Sequence, residues 1–290
     1  MQSRREFLAV AGSAALAGPA LTSAAKPKLK KAVKYGMIGE GKTPKEKFEL
    51  IKSLGFDGVE MDSPSDLKVE EAAKHAKEVG IVIHGVVNST HWQIRMSDPD
   101  PAVRGKAIEN MKTALRDAKT YGAETVLLVP GAVRDPNHEN YQQVFERSQK
   151  CVRECIPLAE ELKIKICIET VWNKFIEKVE QLIEYVDAFK NPIVGGYFDI
   201  SNMIKFGMPP AEWIRKLGKR MYKFDFKGYS HKDGFKVLIG EGDEDWPEVL
   251  KALDEVGYSG WATSEVKGGD RKWLADVAKR MDKVLGLAPG

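Results

Sequence analysis

The sequence predicts a single-domain α/β protein that folds as a (β/α)8 TIM barrel. Short apolar runs alternate with amphipathic helical segments along the chain, which is typical of parallel βαβ units. Eight such units occupy residues 26–290, which matches the number of units and the length of such a barrel. The alternative, a doubly wound open sheet, requires a glycine-rich phosphate turn after the first strand, and Gly36, Gly39 and Gly41 do not have its spacing. The barrel is therefore favoured.

Each element is placed by its apolar pattern. We predict strands at residues 33–38, 58–61, 81–87, 125–129, 164–168, 194–198, 222–226 and 261–263. We predict helices at residues 44–54, 69–79, 101–121, 140–162, 176–189, 210–217, 246–256 and 270–285. Several helices run into a glycine, as in SLGF, EVGI, YGAE and EVGY, which is the expected left-handed stop.

The composition excludes several function classes. The 290 residues are 43% hydrophobic and 30% charged, with a net charge of only +3. Acidic and basic residues are interspersed, so the basic stripe of a nucleic-acid-binding protein is missing. The short KPKLKK segment at 26–31 is predicted to be a solvated leader. The three cysteines, Cys151, Cys155 and Cys167, are too few for a disulfide framework and are expected to be buried thiols.

The N-terminal segment has the layout of a signal peptide. Residues 1–25 contain paired arginines in SRREFL, then a weakly apolar stretch rich in Ala and Gly, then small residues. The paired arginines resemble the twin-arginine export signal, so we expect a periplasmic protein that folds before export. The alternative is an uncleaved amphipathic tail. No later stretch approaches the roughly 18–20 apolar residues of a membrane span.

Polar side chains follow the predicted strands, where a barrel places its chemistry. Carboxylates stand at the ends of strands two, five, six, seven and eight: strand two ends at Glu60 and Asp62, and the others at Glu169, Asp199, Asp225 and Glu265. The last four come from successive strands, so they should meet at one mouth of the barrel. Any one of them alone is more often a solvated strand end or a helix cap. Four together repel one another, and a divalent cation with oxygen ligands, Mg²⁺ or Mn²⁺, resolves that conflict.

Four segments in order resemble the xylose-isomerase-like sugar isomerase and epimerase superfamily, near the tagatose/psicose 3-epimerases and hydroxypyruvate isomerase. They are ETVWNKF, YFDISN, a strand-seven FxFKG motif and GWATSEV, and the resemblance spans about residues 32–286. It implies one divalent metal, Mn²⁺ or Mg²⁺, held by two Glu, one Asp and one His. Carried over, the acids are Glu169, Asp199 and Glu265. Trp172 and Asn173 match the residues after the first glutamate, and Asn202 matches a position near the substrate.

Strand seven departs from the family pattern. The usual His-x-Lys-Asp is replaced here by Asp225-Phe226-Lys227-Gly228. Asp225 would complete a four-carboxylate metal site, with Lys227 offsetting part of the charge. Alternatively, Asp225 is a base or a substrate contact, and three acids and water hold the metal. His231, six residues further on, is expected to lie in an exposed turn.

The resemblance implies that Glu169 and Glu265 shuttle a proton on the carbon next to a carbonyl, as in epimerisation or aldose–ketose isomerisation through an enediolate. We expect further substrate contacts from Glu60, His84, His91, Trp92, Trp172, Asn202 and Lys227. Glu60 and His84 have equally plausible structural roles, as a loop contact and as a core histidine. The acids of IGEGDEDWPEV are expected to serve the surface and a helix start, with Trp246 packed inward.

These residues predict a metal-dependent sugar isomerase or epimerase. We expect its substrate to be an unphosphorylated sugar or keto-sugar, because no cluster of basic residues that could bind a phosphate follows the predicted strands. A lyase or hydrolase of oxidised 3-keto-glycosides and an exported non-catalytic sugar-binding protein remain as alternatives. An abasic-site endonuclease of the same fold would carry more histidine ligands and a basic face. Relatives of the resembling family often form dimers or tetramers, and no nucleic-acid partner or membrane contact beyond export is expected.

Overall fold

The computed structural model describes residues 28–287, so the predicted signal peptide at 1–25 lies outside the described residues. Within this range eight parallel strands close into a barrel in chain order, with the last strand paired to the first. The strands are β1 Leu29–Lys34, β2 Gly58–Ser63, β3 Val82–Asn88, β4 Thr125–Leu128, β5 Lys165–Glu169, β6 Val194–Asp199, β7 Met221–Phe226 and β8 Gly260–Ser264. The predicted single-domain (β/α)8 barrel is confirmed.

Helices follow the strands and surround the barrel. They are α1 Pro44–Ser53, α2 Val69–Val79, α3 Pro101–Tyr121, α4 Tyr141–Leu162, α5 Val179–Asp187, α6 Ile200–Ile204, α7 Pro210–Leu217, α8 Trp246–Glu255 and α9 Arg271–Leu285. The predicted glycine stops are confirmed at Gly80 and Gly122, whose φ angles of 74° and 73° close α2 and α3 in the left-handed region. In the described part of the chain, no helix has both the length and the apolar character to cross a membrane.

The first strand lies earlier in the chain than predicted. β1 is Leu29–Lys34 rather than 33–38, and a single 3-10 turn at Tyr35–Met37 follows it. The lysine-rich segment is thus partly a barrel strand and not wholly a solvated leader. Lys31 is buried, and its Nζ lies 2.5 Å from Asp282 Oδ1 of α9. Strand β1 is defined by its backbone pairing with β8, from Leu29 opposite Gly260 to Val33 opposite Ser264, which overrides the local polarity.

Two helices also differ from the prediction. The segment predicted at 176–189 becomes helical only at Val179, because Gln181 accepts hydrogen bonds from the backbone N–H groups of Glu177 and Lys178 and so caps the start. The short helix α6 was not predicted, and it begins directly after Asp199. The other strand limits move by one or two residues.

The three cysteines are free and buried, as predicted. Burial raises the pKa of Cys151 to about 11 and the pKa values of Cys155 and Cys167 to about 12. Thiols with such pKa values are poor nucleophiles at neutral pH. The cysteines therefore fill space in the core, and the chemistry of this chain lies elsewhere.

Candidate active site

Four carboxylates converge at the carboxyl end of the barrel. Glu169 and Asp199 are the last residues of β5 and β6, Asp225 lies near the end of β7, and Glu265 directly follows β8. Each offers a carboxylate oxygen, and these oxygens all lie within 4.8 Å of one another. Parallel pairing places Asp199 opposite Asp225, so the two side chains leave the sheet at the same level. The structure thus brings together the four acids that the sequence placed at strand ends.

Two lysines bridge three of the four carboxylates. Lys34 Nζ lies 2.8 Å from Asp225 Oδ2 and 2.7 Å from Glu265 Oε1. Lys227 Nζ lies 2.6 Å from Asp199 Oδ2 and also contacts the second oxygen of Glu265. Lys34 was not predicted as a site residue, because the first strand was predicted to begin four residues further along the chain than it does. It is the last residue of β1, and a correct strand assignment would have shown it as a strand-end residue.

The surroundings shift the pKa values of the four acids in different directions. Burial raises the pKa values of Glu169 and Asp225 well above the usual carboxyl range, and neighbouring acids raise them further against the opposing effect of Lys34. Burial also raises the pKa of Asp199, although Lys227 opposes it. Glu265 differs, because the lysines overcome its burial and hold its pKa well below the usual range. The lysines therefore favour the ionised form of Glu265, whereas burial favours the neutral form of Glu169.

The donor set fits a divalent cation. Both carboxylate oxygens of Asp225 are buried and receive no directed hydrogen bond within the described chain, although Lys34 lies close to one of them. Four carboxylates against two ammonium groups leave two negative charges when all are ionised. A single 2+ ion balances this excess and supplies the missing partner of Asp225. Oxygen-only ligands favour a hard cation.

A cavity of about 480 Å³ is lined by two of the four acids, Glu169 and Glu265, while Asp199 and Asp225 are buried behind its surface. Its volume is within the range of small-molecule sites. The aromatic side chains Trp92, Trp172 and Phe235 line it and are 42%, 39% and 42% exposed. Of the residues predicted for catalysis or substrate contact, those that line this cavity are Glu169, Glu265, His91, Trp92, Trp172, Asn202 and Lys227.

Glu60 and His84 do not line the cavity, and their predicted substrate contacts are not supported by its geometry. The Glu60 carboxylate accepts a hydrogen bond from Tyr197 Oη at 3.2 Å. His84 Nδ1 lies 2.8 Å from Lys223 Nζ, and its ring stacks on Trp261 with centroids 4.6 Å apart. Both residues are third in their strands, so they occupy an interior layer below the mouth. Burial, with nearby Lys223, lowers the pKa of His84 well below its usual value.

Strand β2 extends two residues beyond the prediction, and this places Asp62 instead of Glu60 at the cavity. Asp62 was noted at the strand end but was not predicted as a site residue. His91 does reach the cavity, and its Nδ1 lies 3.4 Å from the backbone N of Val129. Burial, with the charge of Lys34, lowers the pKa of His91 to about 3, so it is neutral at physiological pH.

The short helix α6 orients Asp199. The Asp199 Oδ1 atom accepts a hydrogen bond from the backbone N–H of Asn202 at 2.8 Å, as an N-cap. The Asn202 side chain donates to the carbonyl of Thr170 at 3.2 Å, and the indole N–H of Trp172 donates to the Asn202 carbonyl at 2.6 Å. The loops after β5 and β6 are thereby joined at the cavity wall.

The loop after β7 contains a buried acid that the sequence reading placed on the surface. Glu244 Oε1 accepts hydrogen bonds from Ser201 Oγ at 2.8 Å and from the backbone N–H of Tyr229 at 2.9 Å. Its neighbour Asp245 caps α8, and Trp246 packs inward, both as predicted. His231 lies in the exposed turn, bonded to Asp243, as expected.

Glu244 predicts a pH-dependent stability. Burial raises the pKa of Glu244 to about 7, so the folded chain holds this proton more tightly than the unfolded chain does. The resulting stabilisation is fully present below the unfolded pKa of about 4.5 and is lost as pH rises through 7, by up to about 3 kcal/mol. Urea unfolding at pH 5 and pH 8 should show this loss, and Glu244→Gln should remove it. Glu161→Gln, which changes an exposed glutamate, is the control. If Glu244→Gln loses as much unfolding free energy between pH 5 and pH 8 as the wild type does, Glu244 is not the source of the pH dependence.

The chain matches known proteins over most of its length. A family model described as a xylose isomerase-like TIM barrel matches residues 48–284. An uncharacterised Methanocaldococcus jannaschii protein is 28% identical over 73% of this chain and 72% of its own. An Escherichia coli protein named L-ribulose-5-phosphate 3-epimerase UlaE is 23% identical over 74% of this chain and 79% of its own.

Solved structures have the same fold. The apo form of the Escherichia coli 3-keto-D-glucoside 4-epimerase YcjR superposes with a TM-score of 0.77 and 15% identity, over 89% of this chain and 99% of that chain. A structure described as the IOLI protein with a bound zinc atom gives a TM-score of 0.74 and 18% identity, over 89% of this chain and 98% of that chain.

Proposed function

Because the chain belongs to the xylose isomerase-like TIM barrel family, we propose that it is a sugar epimerase or isomerase that moves a proton on the carbon next to a carbonyl. The observation that carries the proposal is the cluster of four carboxylates at the floor of a cavity with exposed aromatic walls. Relatives and structural neighbours named as sugar 3- and 4-epimerases support it.

Glu169, Asp199, Asp225 and Glu265 would hold one divalent metal, with Mn²⁺ or Mg²⁺ preferred for an all-oxygen set. Such a metal supplies Lewis-acid polarisation of a substrate carbonyl. Lys34 and Lys227 keep Glu265 ionised and fix its orientation. The zinc described in one structural neighbour supports a metal site on this fold.

The Asp225→Ala variant should bind Mn²⁺ at least about tenfold more weakly than the wild type, because it removes one of the four clustered carboxylates, whose buried oxygens receive no directed hydrogen bond in the described chain. Isothermal titration calorimetry measures the affinity. Asp243→Ala, which changes an exposed aspartate bonded to His231, is the matched control. Equal affinities in the wild type and Asp225→Ala would favour the reading in which three acids and water hold the metal.

Glu169 and Glu265 face the cavity from β5 and β8 and are the proposed proton-transfer pair. Their environments give one acid a raised pKa and the other a lowered pKa. A proton donor and a proton acceptor require carboxyl groups with different proton affinities. The sugar ring would lie between them, with its apolar face against Trp92 or Trp172.

The substrate we propose is an unphosphorylated sugar or keto-sugar. The cationic side chains that line this cavity within the described chain are Lys34 and Lys227, and both contact carboxylates. Neither is free to bind a phosphate. This contrasts with the relative named for a sugar phosphate. Residues 1–25 resemble a twin-arginine signal, and on that ground we propose that the protein meets such a substrate in the periplasm.

A proton-exchange experiment tests the proposed function. The metal-loaded protein is incubated in heavy water with a panel of ketoses and 3-keto-glycosides, and deuterium incorporation next to the carbonyl is followed by NMR. Incorporation into at least one sugar, lost on treatment with a chelator, is the expected result. A panel in which no sugar exchanges would contradict the proposal.

A lyase or hydrolase of oxidised glycosides is the second candidate, and Asp225 in place of the family histidine favours it. Both reactions begin with the same proton abstraction. Release of the aglycone from a 3-keto-glycoside during the exchange experiment would identify this reaction, and exchange without release would identify an epimerase or isomerase.

A further inference from the structure

A second cavity, here called the side cavity, opens beside the candidate active site. It has a volume of about 420 Å³ and lies between the loop after β7 and the start of α9. Its walls are mainly apolar, and the residues that form them include Val237, Leu238, Ile239, Val266, Trp273 and Val277. None of these residues has a part in the chemistry proposed above.

The side cavity adjoins the active-site cavity and shares part of its wall. Lys227, Phe235 and Glu265 line both of them. Phe235 stands at the junction, with its ring centroid 4.8 Å from that of Trp172 and 5.0 Å from that of Tyr229. A molecule held against Glu265 therefore lies beside the wall that the two cavities share.

The walls of the side cavity suit an apolar, flat group. The indole of Trp273 is fixed by a hydrogen bond from Nε1 to the carbonyl of Lys267 at 2.7 Å. Arg280 also lines the cavity, but it is paired with Asp276 at 2.7 Å and Glu241 at 2.8 Å. The charged groups nearest this space are thus either paired or, as with Lys236 and Lys267, exposed at the rim.

A free sugar does not need such a space. Sugar hydroxyls placed against apolar walls lose hydrogen bonds with water and gain none. An apolar ring placed there is favoured, because it leaves water for an aromatic wall. The sugar ring and the group attached to it would then occupy two adjoining cavities, on either side of the shared residues.

We propose that the side cavity binds the apolar, aromatic aglycone of a glycoside whose sugar occupies the active-site cavity. This rests on the proposed function and specifies its substrate class. The substrate is then a glycoside whose ring carries a ketone, and not a free pentose or hexose; the unoxidised glycosides used below serve as unreactive binding probes. Phe235 separates the two parts and contacts both.

Paired glycosides test this inference. Binding of methyl β-D-glucopyranoside, 4-nitrophenyl β-D-glucopyranoside and D-glucose 6-phosphate to the full metal-loaded chain is measured by isothermal titration calorimetry. We expect the nitrophenyl glycoside to bind at least about tenfold more tightly than the methyl glycoside. Equal affinity of the two glycosides would overturn the inference. Tighter binding of D-glucose 6-phosphate than of the nitrophenyl glycoside would also overturn it.

Leu238→Trp fills the side cavity and should reduce the ratio of the two glycoside affinities to about one. Val82→Trp makes a comparable change at an exposed position at the opposite end of the barrel and should keep the ratio. A retained ratio in Leu238→Trp, in a variant with unchanged thermal unfolding, would also overturn the inference.

Failure of this inference is distinguishable from failure of the proposed function. If methyl and nitrophenyl glycosides bind equally, the sugar site stands and the aglycone subsite is rejected. If neither glycoside binds and no sugar exchanges protons in heavy water, both proposals are rejected.

Discussion

Glu169→Gln and Glu265→Gln will each reduce proton exchange into the active sugar by about 10²–10⁴-fold, the contribution of a positioned acid or base. The amide keeps the shape of the carboxyl group but cannot accept or deliver the proton. Both residues also belong to the acidic cluster, so the metal content of each variant must be measured beside the rate. Deuterium incorporation at saturating Mn²⁺ separates loss of the proton carrier from loss of the metal.

Glu161→Gln is the matched control for this pair. Glu161 is an exposed glutamate on α4, remote from the strand ends, and its replacement should leave exchange within experimental error of the wild type. Wild-type exchange rates in both site variants would reject Glu169 and Glu265 as the proton-transfer pair. If only one of the two variants loses proton exchange, a single carboxyl group carries the proton.

Lys34→Met will lower the free energy of unfolding of the metal-free chain by about 3–5 kcal/mol, the cost of leaving a buried charge without its partner. Lys34 is the one cation in an ion pair with Asp225 among residues 28–287, and it also contacts Glu265. Urea unfolding in the presence of a chelator measures the loss. Added Mn²⁺ should restore part of it, because the ion and Lys34 neutralise the same carboxylates.

Two further variants separate this effect from a general loss of packing. The double variant Lys34→Met with Asp225→Asn should regain stability relative to Lys34→Met, because the unpaired carboxylate is gone. Lys30→Met changes an exposed lysine of the same strand and should alter stability by no more than about 0.5 kcal/mol. Equal losses in the Lys34 and Lys30 variants would show that Lys34 has no special electrostatic role.

The barrel was predictable because the alternation of an apolar strand with an amphipathic helix repeats eight times. An error in one strand or helix does not change the predicted fold. The same pattern marked Glu169, Asp199 and Glu265, since each carboxylate follows a buried apolar run that ends abruptly. The limits of the strands were less certain. β1 contains three lysines, and only its pairing with β8 and the ion pair of Lys31 show why they are tolerated in a barrel strand.

The errors in the site follow from those limits. Placing β1 too late hid Lys34, and ending β2 two residues early put Glu60 at the mouth in place of Asp62. His84 is an interior residue for the same reason, because it lies third in a seven-residue strand. Phe235 and the side cavity could not be predicted, since they depend on the path of the irregular loop after β7, which has no periodic pattern.

Anomalous X-ray scattering from crystals grown with Mn²⁺ tests the central claim most directly. A single strong peak is expected within coordination distance of carboxylate oxygens from Glu169, Asp199, Asp225 and Glu265, with Lys34 displaced from its contact with Asp225. A manganese peak elsewhere in the molecule, with Asp199, Asp225 and Glu265 still paired with Lys34 and Lys227, would contradict it.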